Sequence, residues 1–141
     1  MKHLIIHTDG GARGNPGPAA IGVDIKGESG EQIAAIGRNI GATTNNTAEY
    51  TAVIVALQWV KESETNVTKD DLSVKFYLDS LLVVNQLNCI YKVKEAHLRN
   101  LLLQVRQLEQ EVGGEITYSH VRREMNKDAD KLVNQALDGF I

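Results

Sequence analysis

The chain has 141 residues, of which 43% are apolar and 23% charged, with a formal net charge of −3 and a single cysteine, Cys89. That length suits one domain with one core. Nothing approaches the roughly 18 consecutive apolar residues of a membrane span, so no membrane partner is expected. The acidic balance excludes a protein that holds nucleic acid by bulk positive potential, and two Phe, one Trp and four Tyr are too few for a platform that stacks base after base. One cysteine rules out an internal disulfide or a Cys-rich zinc site, and the start Met1–His7 lacks the long apolar run of a secretory signal, so the expected location is cytoplasmic.

In chain order, His3–Thr8, Ala19–Lys26 and Gln32–Ile40 are β-rich runs, the last two separated by the turn Gly27-Glu28-Ser29-Gly30. They predict an antiparallel meander. Tyr50, Val53, Ile54, Leu57 and Val60 then fall on one helical face, with Asn45 or Asn46 as the expected N-cap and Lys61–Asp71 as the end. Leu72–Leu78 reads as a fourth strand and Ser80–Leu87 as a short helix. Leu98, Leu101, Leu102, Val105, Leu108 and Val112 form an amphipathic helix stopped by Gly113-Gly114. A fifth strand, Ile116–Val121, precedes a last helix whose stripe is Ala129, Leu132, Val133, Ala136 and Leu137, with Asn126 as its N-cap. The expected fold is therefore α/β, in the order βββαβααβα, with parallel crossovers after the meander.

Candidate chemistry concentrates in four places. The loop Asp9–Pro18 holds both prolines and four glycines; it has neither the Lys-Ser/Thr of a P-loop nor the following helix of a dinucleotide fingerprint. Asp9 and Asp79 each close an apolar strand, so on adjacent strands their carboxylates converge where α/β sheets bind ligands, although an Asp at a strand end taken singly is more often a turn former or cap. Glu49 follows the donor-rich helix entrance Thr43–Asn46, which suits a phosphate or a ribose hydroxyl; its plainer role is to complement the helix N-terminus. In the cluster Ser119–Lys131, Asp128 suits the helix dipole. Asp130 borders the buried stripe, where an unpaired carboxylate is costly unless a cation is near.

Four ordered motifs carry a resemblance: T-D-G-G-A-R-G-N-P-G-P-A (Thr8–Ala19), T-T-N-N-T-A-E (Thr43–Glu49), Y-L-D-S (Tyr77–Ser80) and H-V-R-R-E-M-N-K-D-A-D-K-L (His120–Leu132). Together they resemble type 1 ribonuclease H over the whole chain. The resemblance implies a ribonuclease H-like, five-stranded mixed sheet flanked by helices. It implies an endonuclease that hydrolyses the RNA strand of an RNA/DNA hybrid with two Mg²⁺ or Mn²⁺ ions, leaving 5′-phosphate and 3′-hydroxyl ends. By the same resemblance the metal ligands are Asp9, Glu49, Asp79 and Asp130. Asp9 would bridge both ions, with Glu49 and Asp79 on one side and Asp130 on the other. The resemblance also places on His120 the loop histidine that would assist proton transfer or product release. Gly14, Asn15, Asn45, Asn46 and Glu49 would face the minor groove, and Thr44 would help hold a phosphate.

Departures from the family pattern matter too. Leu81 and Leu82 replace polar positions after Asp79-Ser80, and the short segment Asn88–His97 leaves no room for a basic substrate handle. Weaker hybrid affinity follows, with Lys92, Lys94, Arg122, Arg123 and Lys127 as partial replacements. A catalytically retired binding module is the alternative, against which the retention of all four carboxylates argues. Double-stranded RNA is an open secondary substrate, and with no dimer signal a monomer is expected.

Overall fold

The computed structural model describes all residues, 1–141. Five strands form one mixed sheet: β1 (Lys2–Ala12), β2 (Gly17–Gly27), β3 (Gln32–Thr43), β4 (Leu72–Leu78) and β5 (Glu115–His120). Four helices accompany it: α1 (Asn45–Ser63), α2 (Leu81–Leu87), α3 (Ala96–Val112) and α4 (Lys127–Leu137). The element order is the expected βββαβααβα. The sheet order is β3-β2-β1-β4-β5, antiparallel for β1/β2 and β2/β3 and parallel for β1/β4 and β4/β5. No helix is long and apolar enough to cross a membrane.

The alternation of β1 and the apolar runs of β2 and β4 put Leu4, Ile6, Ile21, Val23, Ile25, Val74, Phe76 and Leu78 into one core with α1 and α3. Helix α1 is apolar around most of its girth, with ten buried residues from Ala48 to Val60, as expected of a helix held between the sheet and α3. A smaller cluster of Ala20, Val133 and Ala136 fixes α4 against β2 and β3.

Two glycines set how closely the helices approach the sheet. A side chain at Gly10 would collide with the Ala48 carbonyl of α1, and one at Gly22 with the Ala129 carbonyl of α4. Because Gly22 pairs directly with Asp9, this second approach brings α4 beside the Asp9 end of β1. Gly22→Ala should therefore push α4 outward. Overpacking of this kind costs about 1–3 kcal/mol; urea unfolding should show a lower midpoint at unchanged slope.

Two local expectations are corrected, and a third is met in position but not in side-chain bonding. Strand β1 runs on to Ala12, past Thr8, because β2 continues to pair with it through Ala12↔Ala19; Asp9 thus lies within a strand rather than at its end. The N-cap of α1 is Thr44, not Asn45 or Asn46: its Oγ1 accepts the Thr47 amide at 3.3 Å, while Asn45 Oδ1 is engaged by the Ala12 amide at 2.8 Å. Asn126 does occupy the N-cap position of α4, but its side chain makes no capping hydrogen bond.

Candidate active site

The parallel pairing of β1 with β4 ends at His7↔Tyr77. Asp9 and Asp79 each lie two residues further on, so the twofold alternation of a strand carries both side chains to the same side, on neighbouring strands. Glu49 comes from the first turns of α1, drawn in by the contact at Gly10, whose amide donates to Glu49 Oε1 at 3.1 Å. One carboxylate oxygen from each of Asp9, Glu49 and Asp79 lies within 4.8 Å of the others.

Asp9 is 8% and Glu49 6% exposed. Burial, reinforced by the neighbouring Asp79 charge, pushes the Asp9 carboxyl up to about 7. Burial and the facing Asp9 likewise hold Glu49 well above the usual carboxylate range. Glu49 Oε2 is buried without a hydrogen-bond partner. A buried oxygen left unpartnered among like charges is expensive unless a cation supplies the missing interaction. The donor set is all oxygen, which suits a hard divalent cation of the Mg²⁺ or Mn²⁺ kind. These residues fit such an ion.

Asp130, one turn into α4, lines the same cleft from the opposite side and stands outside the tight trio. Its charge nevertheless raises the Asp9 carboxyl further. Asp128 points elsewhere: its carboxylate meets Lys26 of β2 at 3.0 Å, which lowers its pKa. The dipole role expected of Asp128 is therefore joined by an ion pair.

Of the other expected site residues, Asn45 and Asn46 line the cleft, while Gly14, Asn15 and Thr44 do not. Asn15 instead accepts the Asn45 amide on its Oδ1 at 3.0 Å, tying the glycine-rich loop to the start of α1. Gly14 adopts φ +94°, a conformation that favours glycine. His120 is exposed, is the last residue of β5 rather than part of a loop, and does not line the cleft. Leu81 and Leu82 are exposed at the start of α2.

Arg123, expected among the partial replacements for a basic handle, is a wall of the cleft; Arg13, Ser80 and Asn134, not singled out in the sequence, line it too. Arg13 is paired with Asp138 at 2.6 Å. Asn134 had a readable signal: it stands four residues after Asp130 on the same helical face, and its Nδ2 donates to the Asp130 carbonyl at 3.2 Å. Arg123 stood out only by its charge; it lies in the short turn Arg123–Met125 just before α4.

Sheet order and an acidic cleft across β1, β4, α1 and α4 define a ribonuclease H-like protein. The family model described as reverse transcriptase-like matches residues 7–136. A ribonuclease HI of Halobacterium salinarum is 38% identical over 132 residues, covering 94% of this chain and 63% of that protein. A bifunctional protein of Mycobacterium tuberculosis is 35% identical over 136 residues, covering 96% of this chain and 35% of its own. The chain thus spans less than two thirds of these relatives.

Among solved structures, LC11-RNase H1 in complex with an RNA/DNA hybrid is 42% identical with a TM-score of 0.92, covering 97% of this chain and 98% of that one. RNase H1 of H. salinarum is 35% identical with a TM-score of 0.86, covering 97% and 98%. The chain belongs to the reverse transcriptase-like family, within its type 1 ribonuclease H branch.

Proposed function

We propose that this protein is an endoribonuclease that hydrolyses the RNA strand of RNA/DNA hybrids, leaving 5′-phosphate and 3′-hydroxyl ends. The observation that carries the reading is the convergence of Asp9, Glu49 and Asp79 within 4.8 Å, two of them buried and one oxygen orphaned. The hybrid bound by LC11-RNase H1, a relative of nearly the same length, supports the substrate class.

Asp9, Glu49, Asp79 and Asp130 would hold two Mg²⁺ or Mn²⁺ ions. When bound, such a pair activates water on one side of a phosphodiester and neutralises the leaving oxygen on the other. The chain's own residues do the rest. Asn45 and Asn46, at the cleft wall, offer amide groups to the minor-groove edge, where the 2′-hydroxyl separates RNA from DNA. Asn15 holds Asn45 in place, and Thr44, by capping α1, fixes the helix that delivers both asparagines and Glu49. Gly14 lets the loop backbone come close to the substrate. Arg123 supplies positive charge at the cleft for a phosphate, while His120, exposed at the end of β5 and outside the cleft, would assist proton transfer or product release.

Lys92 and Lys94, beside the exposed Leu82, Ile90 and Tyr91, serve as a modest substitute for the missing basic handle. The expected result is hybrid binding weaker than in handle-bearing relatives at matched salt, since each lost phosphate contact lowers affinity and flattens its salt dependence. An exposed, free Cys89 accords with a reducing cytoplasmic compartment.

Substrate choice is tested with end-labelled hybrid, duplex RNA, duplex DNA and a hybrid containing one 2′-deoxy position in its RNA strand. Cutting of the hybrid, reduced near the deoxy substitution, is expected. Equal cutting of duplex DNA would overturn ribose recognition by Asn45 and Asn46. Cutting of duplex RNA would add a second substrate to the first.

A further inference from the structure

Asn126 is 1% exposed, and its contacts reach three parts of the candidate site. Its Nδ2 donates to the Thr8 carbonyl at 2.9 Å, one residue before Asp9, and to Asp79 Oδ2 at 3.1 Å. Its backbone carbonyl accepts the Asp130 amide at 3.1 Å, as the first hydrogen bond of α4. The Thr8 carbonyl can only accept, so the amide nitrogen must face it. A residue at an N-cap position ordinarily turns its side chain onto the helix, whereas Asn126 makes no such bond and spends its donors on β1 and Asp79.

We infer that Asn126 is a positioning residue for the metal-binding carboxylates: it sets the rotamer of Asp79 and docks the first turn of α4 so that Asp130 faces the cleft. The inference rests on the reading of these carboxylates as metal ligands. The three close carboxylates belong to β1, α1 and the end of β4, all packed within the main core. Asp130 alone arrives on α4, across the sheet, so its place depends on what ties the start of that helix to β1 and β4. Asn126 is a buried tie between them. A second hydrogen-bond shell of this kind orients a ligand before the ion arrives, and its removal typically lowers metal affinity or activity by roughly 10–100-fold.

The test uses Mn²⁺ alone as probe, with free Mn²⁺ read by electron paramagnetic resonance, on wild type, Asn126→Ala and Asn126→Ser. Ala136→Gly serves as a control that weakens α4 without touching Asp79. The expected result is a Kd for Mn²⁺ raised roughly 10–100-fold in Asn126→Ala, less in Asn126→Ser, which keeps a donor, and unchanged in Ala136→Gly despite its lower Tm. In hybrid cleavage, the half-activating Mn²⁺ concentration should rise in parallel while KM for the hybrid stays near wild type. Should Asn126→Ala not fold, Asn126→Ser carries the comparison.

Wild-type Mn²⁺ binding with an unchanged Kd in the folded Asn126 variants would overturn the inference and leave the metal reading intact. Equal weakening in Ala136→Gly would reduce Asn126 to a stabilising contact. Failure of wild type to bind Mn²⁺ at all would remove the metal reading itself, and this inference with it.

Discussion

Asp9→Asn should abolish cleavage of the hybrid while leaving the protein folded. Asp9 sits between the other site carboxylates: Asp79 beside it on the neighbouring strand, Glu49 facing it from α1, and Asp130 across the cleft, with each of these groups acting on its ionisation. An amide at this position keeps the volume and loses the charge. Metal-assisted stabilisation of a phosphodiester transition state is worth several kcal/mol. At 1.36 kcal/mol per tenfold, the loss in kcat should be roughly 10³-fold or more. Single-turnover cleavage with enzyme in excess is the measurement, because it separates chemistry from product release. A variant within tenfold of wild type would show that Asp9 is not central to the reaction.

The same substitution should stabilise the metal-free protein at neutral pH. A carboxyl whose folded pKa is raised binds its proton more tightly when folded than when unfolded. Asp9 is raised from 3.8 to about 7 by burial and by Asp79, so the folded state holds the extra proton between those values. Stability without metal therefore falls as pH rises from about 4 to about 7, and Glu49 acts in the same direction. At 1.36 kcal/mol per unit, a gap of this size is worth on the order of a few kcal/mol. Thermal or urea melts in EDTA should show Asp9→Asn more stable than wild type at pH 7.5 and equal to it near pH 4. Mg²⁺ or Mn²⁺ should raise the wild-type Tm at pH 7.5, because an ion bound only by the folded state stabilises it by mass action. A wild-type Tm at pH 7.5 that ignores both the metal and the substitution would mean that the carboxylates carry no such strain.

These two results pull apart what an ordinary structural aspartate would keep together. A residue that merely holds β1 and β4 in place loses activity and stability in step when it is changed. A buried charge kept for chemistry loses the first and gains the second. Their combination at Asp9 is therefore more informative than either alone.

Much of this arrangement was legible in the sequence because it is local. Apolar alternation and helical spacing gave the order of elements, and Asp9 and Asp79, each two residues past the His7↔Tyr77 pair, had to converge once β1 lay beside β4. Glu49 and Asp130 stood out less from spacing than from the motifs around them. What remained hidden depends on contacts between distant segments. The length of β1 is set by continued pairing with β2 through two glycines that weaken a strand prediction. The cap of α1 fell to Thr44 because Asn45 is claimed by the Ala12 amide, 33 residues away. Asn126 satisfies every local rule for a cap and yet turns its side chain to Thr8 and Asp79, 118 and 47 residues distant. Arg123 reaches the cleft, and His120 stays outside it, through the way β5 and α4 dock, which no sequence period records.

Metal-dependent hydrolysis of the RNA strand is tested by cleavage of an end-labelled RNA/DNA hybrid by the wild-type protein in Mg²⁺, in Mn²⁺ and in EDTA, with product ends identified by their response to phosphatase and ligase. Cutting of the RNA strand alone is expected with either ion, with products bearing 5′-phosphate and 3′-hydroxyl groups, and no cutting in EDTA. Folded protein that leaves the hybrid intact in both metals, or cuts it equally well in EDTA, would show that the carboxylate cleft is not a metal-dependent ribonuclease site.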